Sequence, residues 1–399
     1  MKRTISIFLL LASFALQLPA QSLADAVKDA FSPLSKKSQQ DSVKKARKPS
    51  TEKKIISQTL KDGTVYVGEM KGRRPHGSGK AIYKNGDIYT GDFYKGKRHG
   101  KGLYRFKSGE KYDGEFSNGY QSGRGIYTYT DGRKYDGEWE NDMRHGNGRL
   151  DYPNGDAYEG SWANGRRNGS GKYSYADGSS YTGEWKSDKR NGLGVYLWAD
   201  GSSYSGEWNN GMRSGTGTYI GADGVRYDGE WQNDCYEGEG TLGYPDGDEY
   251  EGEFKSGLFH GHGKYTYADG SNYHGDFKDG LRHGNGVMRF AEGAVYNGDW
   301  ADNVRHGKGK YTWGNGDVYE GDWKDDAMHG SGVIRRANGV KYKGGFVDGL
   351  EHGAGVAIGK DGLRYEGVFE EGMRNGKFVI KDAGGKVLRE CIYNRGNKE

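Results

Sequence analysis

The chain has 399 residues, 72 of them glycine, with 59 Lys and Arg against 55 Asp and Glu for a formal net charge of +4, and a mean hydropathy of −0.98. So few large aliphatics exclude an ordinary aliphatic core, and the bulk composition alone resembles that of an unfolded chain. The apolar material is concentrated instead in 31 Tyr, 13 Phe and 9 Trp, most of them at fixed positions, so each part of the chain can bury a few large surfaces.

Residues 1–24 read as a cleaved secretion signal: a basic start at Lys2 and Arg3, an uncharged run from Ile5 to Ala20, and a small-residue exit at Ser22, Leu23 and Ala24. The run is shorter than the ~20 residues needed to span a bilayer, so cleavage after Ala20 or Ala24 is expected, with a secreted or periplasmic product. Residues 25–55 follow as a polar, basic tether with nine Lys or Arg against four acids. Without the signal and the tether, about −3 remains on the rest of the chain. That argues against nucleic acid, where a concentrated Lys/Arg face supplies most of the affinity.

From residue 66 the chain is periodic. Tyr66, Tyr89, Tyr112, Tyr135, Tyr158, Tyr181, Tyr204, Tyr227, Tyr250, Tyr273, Tyr296, Tyr319, Tyr342 and Tyr365 begin fourteen copies at an unbroken spacing of 23 residues. A fixed period in this range marks a stacked-repeat architecture. Numbering a unit from its tyrosine, positions 1, 3 and 5 are Tyr, Gly and an aromatic, with Met70 the exception at position 5. This alternation predicts a strand with one aromatic face. Position 4 is acidic in eleven copies and is expected to point the other way. A second strand carries Gly at 12 and 14, then often Tyr at 16 (Tyr173, Tyr196, Tyr265, Tyr311) and a ring at 18 (Tyr175, Trp198, Tyr267, Trp313). Turn signals between them fit antiparallel hairpins, and the glycines on the ring face leave room for a ring above a neighbouring strand. No span has helical periodicity. Residues 56–65 are expected to supply an N-terminal cap strand, 66–387 the array, and 388–399 a closing strand and tail, with Leu388 in the tyrosine slot and Phe378 replacing the second glycine.

The unit, Y-x-G-x-[WF]-x-x-G-x-x-H-G-x-G with a later glycine near position 21, resembles the MORN (membrane occupation and recognition nexus) repeat. The resemblance implies an all-β, elongated antiparallel β-hairpin repeat solenoid with a shallow groove. Two strands per unit at ~4.8 Å would extend fourteen units over ~130 Å. Arrays of this family bind partner proteins, self-associate, or stand beside catalytic domains, and they have been read as attaching to lipids.

The candidate chemistry is sparse. A formal G-x-G-x-x-G at Gly238, Gly240 and Gly243 falls inside a repeat with no helix to follow it, so no phosphate loop or other cofactor site is expected. His76, His99, His145, His260, His283, His306, His329 and His352 recur at position 11, too far apart from repeat to repeat to share a metal, and are read as turn-stabilising. Only His260 with His262 is close enough to consider, and no metal is expected. The acids at position 4 and Arg98, Arg144, Arg167, Arg190, Arg213, Arg282 and Arg305 at position 10 read as surface ion pairs on a solvated face. Cys235 and Cys391 lie too far apart in a straight stack to form a disulfide within one chain, leaving free thiols or a bridge between chains.

The sequence therefore points to a non-enzymatic scaffold of the cell envelope or exterior. It is expected to hold a protein partner, or a second copy of itself, along an aromatic groove lined by Tyr135, Trp139, Tyr158, Trp162, Tyr181, Trp185, Tyr204, Trp208, Tyr227 and Trp231. A cell-wall or other glycan is the alternative ligand, since rings stack on sugar faces. Membrane contact is expected only through the basic tether.

Overall fold

The computed structural model describes residues 54–399; the expected signal and residues 25–53 of the expected tether lie outside the described residues. Everything described is strand or turn, and the strands fall into two units, residues 54–166 and 167–399, divided within the strand Arg166–Ser174. In the first unit an antiparallel meander runs from Ile55–Thr59 to Ala157–Ala163, each strand paired with its chain neighbours. In the second a meander of the same kind runs from Arg166–Ser174 to Asn397–Lys398.

One repeat is one hairpin. The short strand Ser203–Asn209 and the long strand Met212–Ile220 pair Tyr204 with Tyr219, Gly206 with Gly217 and Trp208 with Arg213. The long strand then pairs forward, Tyr219 with Tyr227, Gly217 with Gly229 and Gly215 with Trp231. Positions 1, 3, 5, 10, 14 and 16 therefore share one face, and the glycine pair recurs along the repeats as far as Gly355 with Gly367.

Two turns alternate. The hairpin turn places Asn210 and Gly211 at φ 53° and 96°, the doubly positive conformation that matches the twist of flanking strands. The second turn closes with Trp198 N–H donating to the Ser202 carbonyl at 2.9 Å, while the Asp200 carboxylate accepts the Ser202 N–H at 2.8 Å.

The glycines do what the sequence predicts of them. The Tyr204 ring lies flat along its own strand, and its hydroxyl donates to the Glu207 carbonyl at 3.0 Å. A Cβ added to Gly206 would fall 2.5 Å from the Gly217 Cα and 2.6 Å from the Tyr204 hydroxyl oxygen. Only glycine leaves room for a ring pressed onto two backbones.

Position 4 points away from the rings, as expected, but its partner is backbone and not the arginine of position 10. A bulge between Gly206 and Trp208 leaves Glu207 over the turn, where its carboxylate accepts the Thr216 N–H at 3.2 Å beside Gly215, whose φ is 61°. The same bond recurs from Asn147 to Glu138, Asn285 to Asp276 and Lys308 to Asp299. The acids of position 4 thus satisfy a backbone N–H that the bulge frees from the ladder.

Position 10 pairs across the hairpin with position 5 and so shares the ring face, and its ion pair is with a turn acid of the next repeat, not with position 4. The Arg213 guanidinium lies 4.2 Å from the Trp231 ring of the next repeat, and donates to the Asp234 carbonyl at 2.9 Å and to its carboxylate at 3.1 Å. In return Trp231 Nε1–H donates to the Gly217 carbonyl at 2.9 Å. Arg144 on Trp162, Arg190 on Trp208 and Arg282 on Trp300 repeat this clasp.

At the C-terminal end the rule is broken in an informative way. Phe378 stands where other repeats have glycine and is fully buried against Gly367. Its ring takes the place above the strands, and the Tyr365 hydroxyl turns away to the Asp361 carboxylate at 2.8 Å. A register shift in the closing strand Val387–Asn394 then sets Arg389 opposite Ile380, so Leu388 misses the tyrosine slot and is 49% exposed. Cys391 is buried on this strand, Cys235 is exposed at the start of Cys235–Gly243, and both are free thiols.

Candidate binding face

In each unit the rings expected to line a groove are packed as a core. Tyr135, Tyr158, Tyr181, Tyr204 and Tyr227 are 0% exposed, and Trp139, Trp162, Trp185, Trp208 and Trp231 are 3–6% exposed. Tyr135, Tyr181, Tyr204 and Tyr227 are each clamped edge to face between two rings: Tyr204 meets Trp208 at 5.2 Å and Trp231 of the next repeat at 5.1 Å. Glycines lie below and position 10 side chains above, such as Arg213 over Trp231 and Tyr236 on Tyr227, and these rings are buried. The expected contact surface is corrected to a packed floor.

What stands on that floor is a second set of rings, from positions 16 and 18. In the second unit Tyr173, Tyr175, Tyr196, Trp198 and Tyr219 are all half-buried. They form a continuous zigzag, with centroid separations of 4.5 Å between Tyr173 and Tyr175, 5.8 Å to Tyr196, 4.5 Å on to Trp198 and 5.9 Å to Tyr219. Phe106, Tyr127 and Tyr129 repeat the zigzag in the first unit at 5.7 Å and 4.4 Å.

The chemistry of this row is amphipathic. Burial pushes the Tyr175 hydroxyl up to about 12, so this ring keeps its proton well beyond neutral pH. Arg190 lies 5.2 Å from the Tyr196 ring on its way to Trp208, supplying cationic charge beneath the row. On the turn beside it, the Ser202 hydroxyl and N–H donate to the Asp200 carboxylate and hold it below its usual range.

The opposite face carries the histidines. His283 lies 3.4 Å from Asp302, His306 3.9 Å from Asp325 and His329 3.8 Å from Asp348, each pair joining one repeat to the turn of the next. His260 lies 4.0 Å from Asp279 in this pattern. The close imidazole pair is not His260 with His262: Gly261, at φ 56°, turns the backbone between them, and His262 instead meets His274 of the following strand.

In each unit a meander of hairpins, pinned by inter-repeat Arg and Trp clasps, with one ring-lined face and one polar face, defines a repeat scaffold. The chain belongs to the MORN repeat family, which matches fourteen consecutive segments from residues 66–88 to residues 365–377. No curated protein matches it. Among solved structures, the G-box domain of the microcephaly protein CPAP is 15% identical over 55% of this chain and 96% of that one, with a TM-score of 0.21. The Drosophila melanogaster SAS-4 TCP domain, solved with a proline-rich motif of Ana2, is 14% identical over 53% of this chain and 97% of its own, again at 0.21. A streptogramin B lyase is 14% identical over 72% of this chain and 89% of its own, with a TM-score of 0.12.

Proposed function

We propose that this protein is a non-catalytic scaffold that holds a protein segment along the half-buried rings of positions 16 and 18, outside the cytoplasm if residues 1–24 act as a signal. The observation that carries the reading is the Tyr173 to Tyr219 zigzag, a run of large, rigid, amphipathic surfaces that the clasped core beneath does not consume. Aromatic side chains with a wet polar tip bring much contact area at little cost in rotamer entropy, which suits a protein contact.

Cross-linked affinity capture tests it, comparing the wild-type chain with Tyr175→Ser/Trp198→Ser/Tyr219→Ser and with Leu193→Ser on the opposite face, where Leu193 is 39% exposed. The expected result is a stoichiometric protein recovered by wild type and Leu193→Ser and lost at least tenfold by the triple variant. Equal recovery by all three overturns the reading. Recovery abolished by prior glycan digestion, with no protein enriched, would assign the row to sugar.

A further inference from the structure

We propose that His262 and His274 form a transition-metal site on the polar face of the second unit, taking Zn2+ or another imidazole-preferring divalent ion. Their Nε2 atoms lie 3.1 Å apart. Two imidazoles on one tetrahedral zinc, each with Zn–N of about 2.0–2.1 Å, place their nitrogens about 3.3 Å apart, so the ion fits with a shift of a few tenths of an ångström. The pair is diagonal across adjacent strands, with His262 opposite Asp276 and His274 opposite Lys264, so the sheet itself fixes the spacing.

The remaining groups prepare the pair for a metal. Asp276 Oδ1 lies 3.1 Å from His262 Nδ1. This carboxylate keeps the proton on Nδ1 and turns the lone pair of Nε2 toward His274, the orientation a carboxylate gives a metal-bound histidine. Asp276 is itself held by the Asn285 N–H at 3.0 Å, and the Glu253 carboxylate accepts the His262 N–H at 3.0 Å. Without a metal the contact needs one imidazole to donate and the other to accept. An ion replaces the shared proton.

The surrounding charge also favours a cation. Residues 227–272 carry eleven acids against only Lys255 and Lys264. Glu239 lies directly opposite Glu253, a like-charge pairing that costs stability unless a cation offsets it, and Glu251 opposite Lys264 balances the one lysine beside His274. The His262 side chain is 58% exposed, so the ion enters from solvent. Among the described residues no group of three or more His, Cys, Asp or Glu side chains converges on one centre, so water completes the coordination. Such a site responds to ion concentration and does not hold the fold together.

Titration calorimetry of the untagged full-length chain with ZnCl2 tests the site, with NiCl2 as a second probe. The expected result is one ion per chain, at least tenfold weaker in His262→Gln and in His274→Gln, unchanged in His260→Gln, and about tenfold weaker in Asp276→Asn, as for an orienting carboxylate. Absence of zinc binding by the wild type, or equal binding by the His262→Gln and His274→Gln variants, overturns the proposal. Both histidines are on the polar face, and circular dichroism before each titration separates loss of ligand from loss of fold.

Discussion

Gly206→Ala lowers the stability of the second unit by about 3 kcal/mol or more, at the upper end of what overpacking costs, while Gly243→Ala stays within about 0.5 kcal/mol. The added methyl is the same and its surroundings are not. At Gly206 it meets the Gly217 Cα at 2.5 Å and the Thr216 carbonyl at 2.6 Å, both backbone atoms of a paired strand that cannot move without breaking the ladder. At Gly243 nothing lies within 4 Å and the backbone is ordinary.

Gly217→Ala gives the companion result. There the methyl meets the Tyr204 ring, 2.6 Å from its Cζ, so its cost is smaller when measured in a Tyr204→Ala background. Midpoints of chemical denaturation followed at 218 nm give all four differences. Equal losses at Gly206 and Gly243 would show that the glycines serve only backbone flexibility. The protein already contains the counterpart of this experiment, since Phe378 in a glycine position coincides with a Tyr365 whose hydroxyl has left its usual carbonyl.

A cooperative alkaline transition is the second large effect expected. Burial raises the Tyr66 and Tyr342 hydroxyls to about 12, and burial raises Tyr135, Tyr204, Tyr227 and Tyr273 further. In the unfolded chain these phenols ionise near pH 10. Their folded values lie above the unfolded one, so unfolding releases protons above pH ~10, and stability present in full below that pH falls as pH rises toward 12. Phenolate absorbance and the sheet signal in circular dichroism should therefore change together between about pH 10 and 12.5. Phenolate appearing near pH 10 with the sheet intact would mean that the tyrosines are wet, and the packed floor would be wrong.

Much of this was legible in the sequence because the period is unbroken. The tyrosine spacing gives one hairpin per repeat, and alternation at positions 1, 3 and 5 gives the ring face. The rings are not equivalent in register. Tyr204 is followed two residues later by Gly206 and lies down over it, whereas Tyr196 is followed by Trp198 and has a ring, not a glycine, at that distance. That offset distinguishes the tyrosines pressed flat on glycine from those that stand above them.

Hydropathy carries no information about register and by itself puts Arg213 in solvent; only its pairing with Trp208 puts it on the ring face, over the next tryptophan. His262 and His274 are twelve residues apart and meet through strand register, while the nearer His260 is turned aside by one positive-φ glycine. Contacts set by a bulge or a diagonal are invisible to a reading along the chain.

Hydroxyl-radical footprinting of the free protein, read residue by residue by mass spectrometry, tests most directly the division between floor and contact row. Tyr175, Trp198 and Tyr219 should be modified readily and Tyr181, Tyr204, Trp208 and Tyr227 hardly at all, with protection of the first three once the captured partner is bound. Equal modification of both sets, or protection confined to the opposite face around Leu193, would contradict the account.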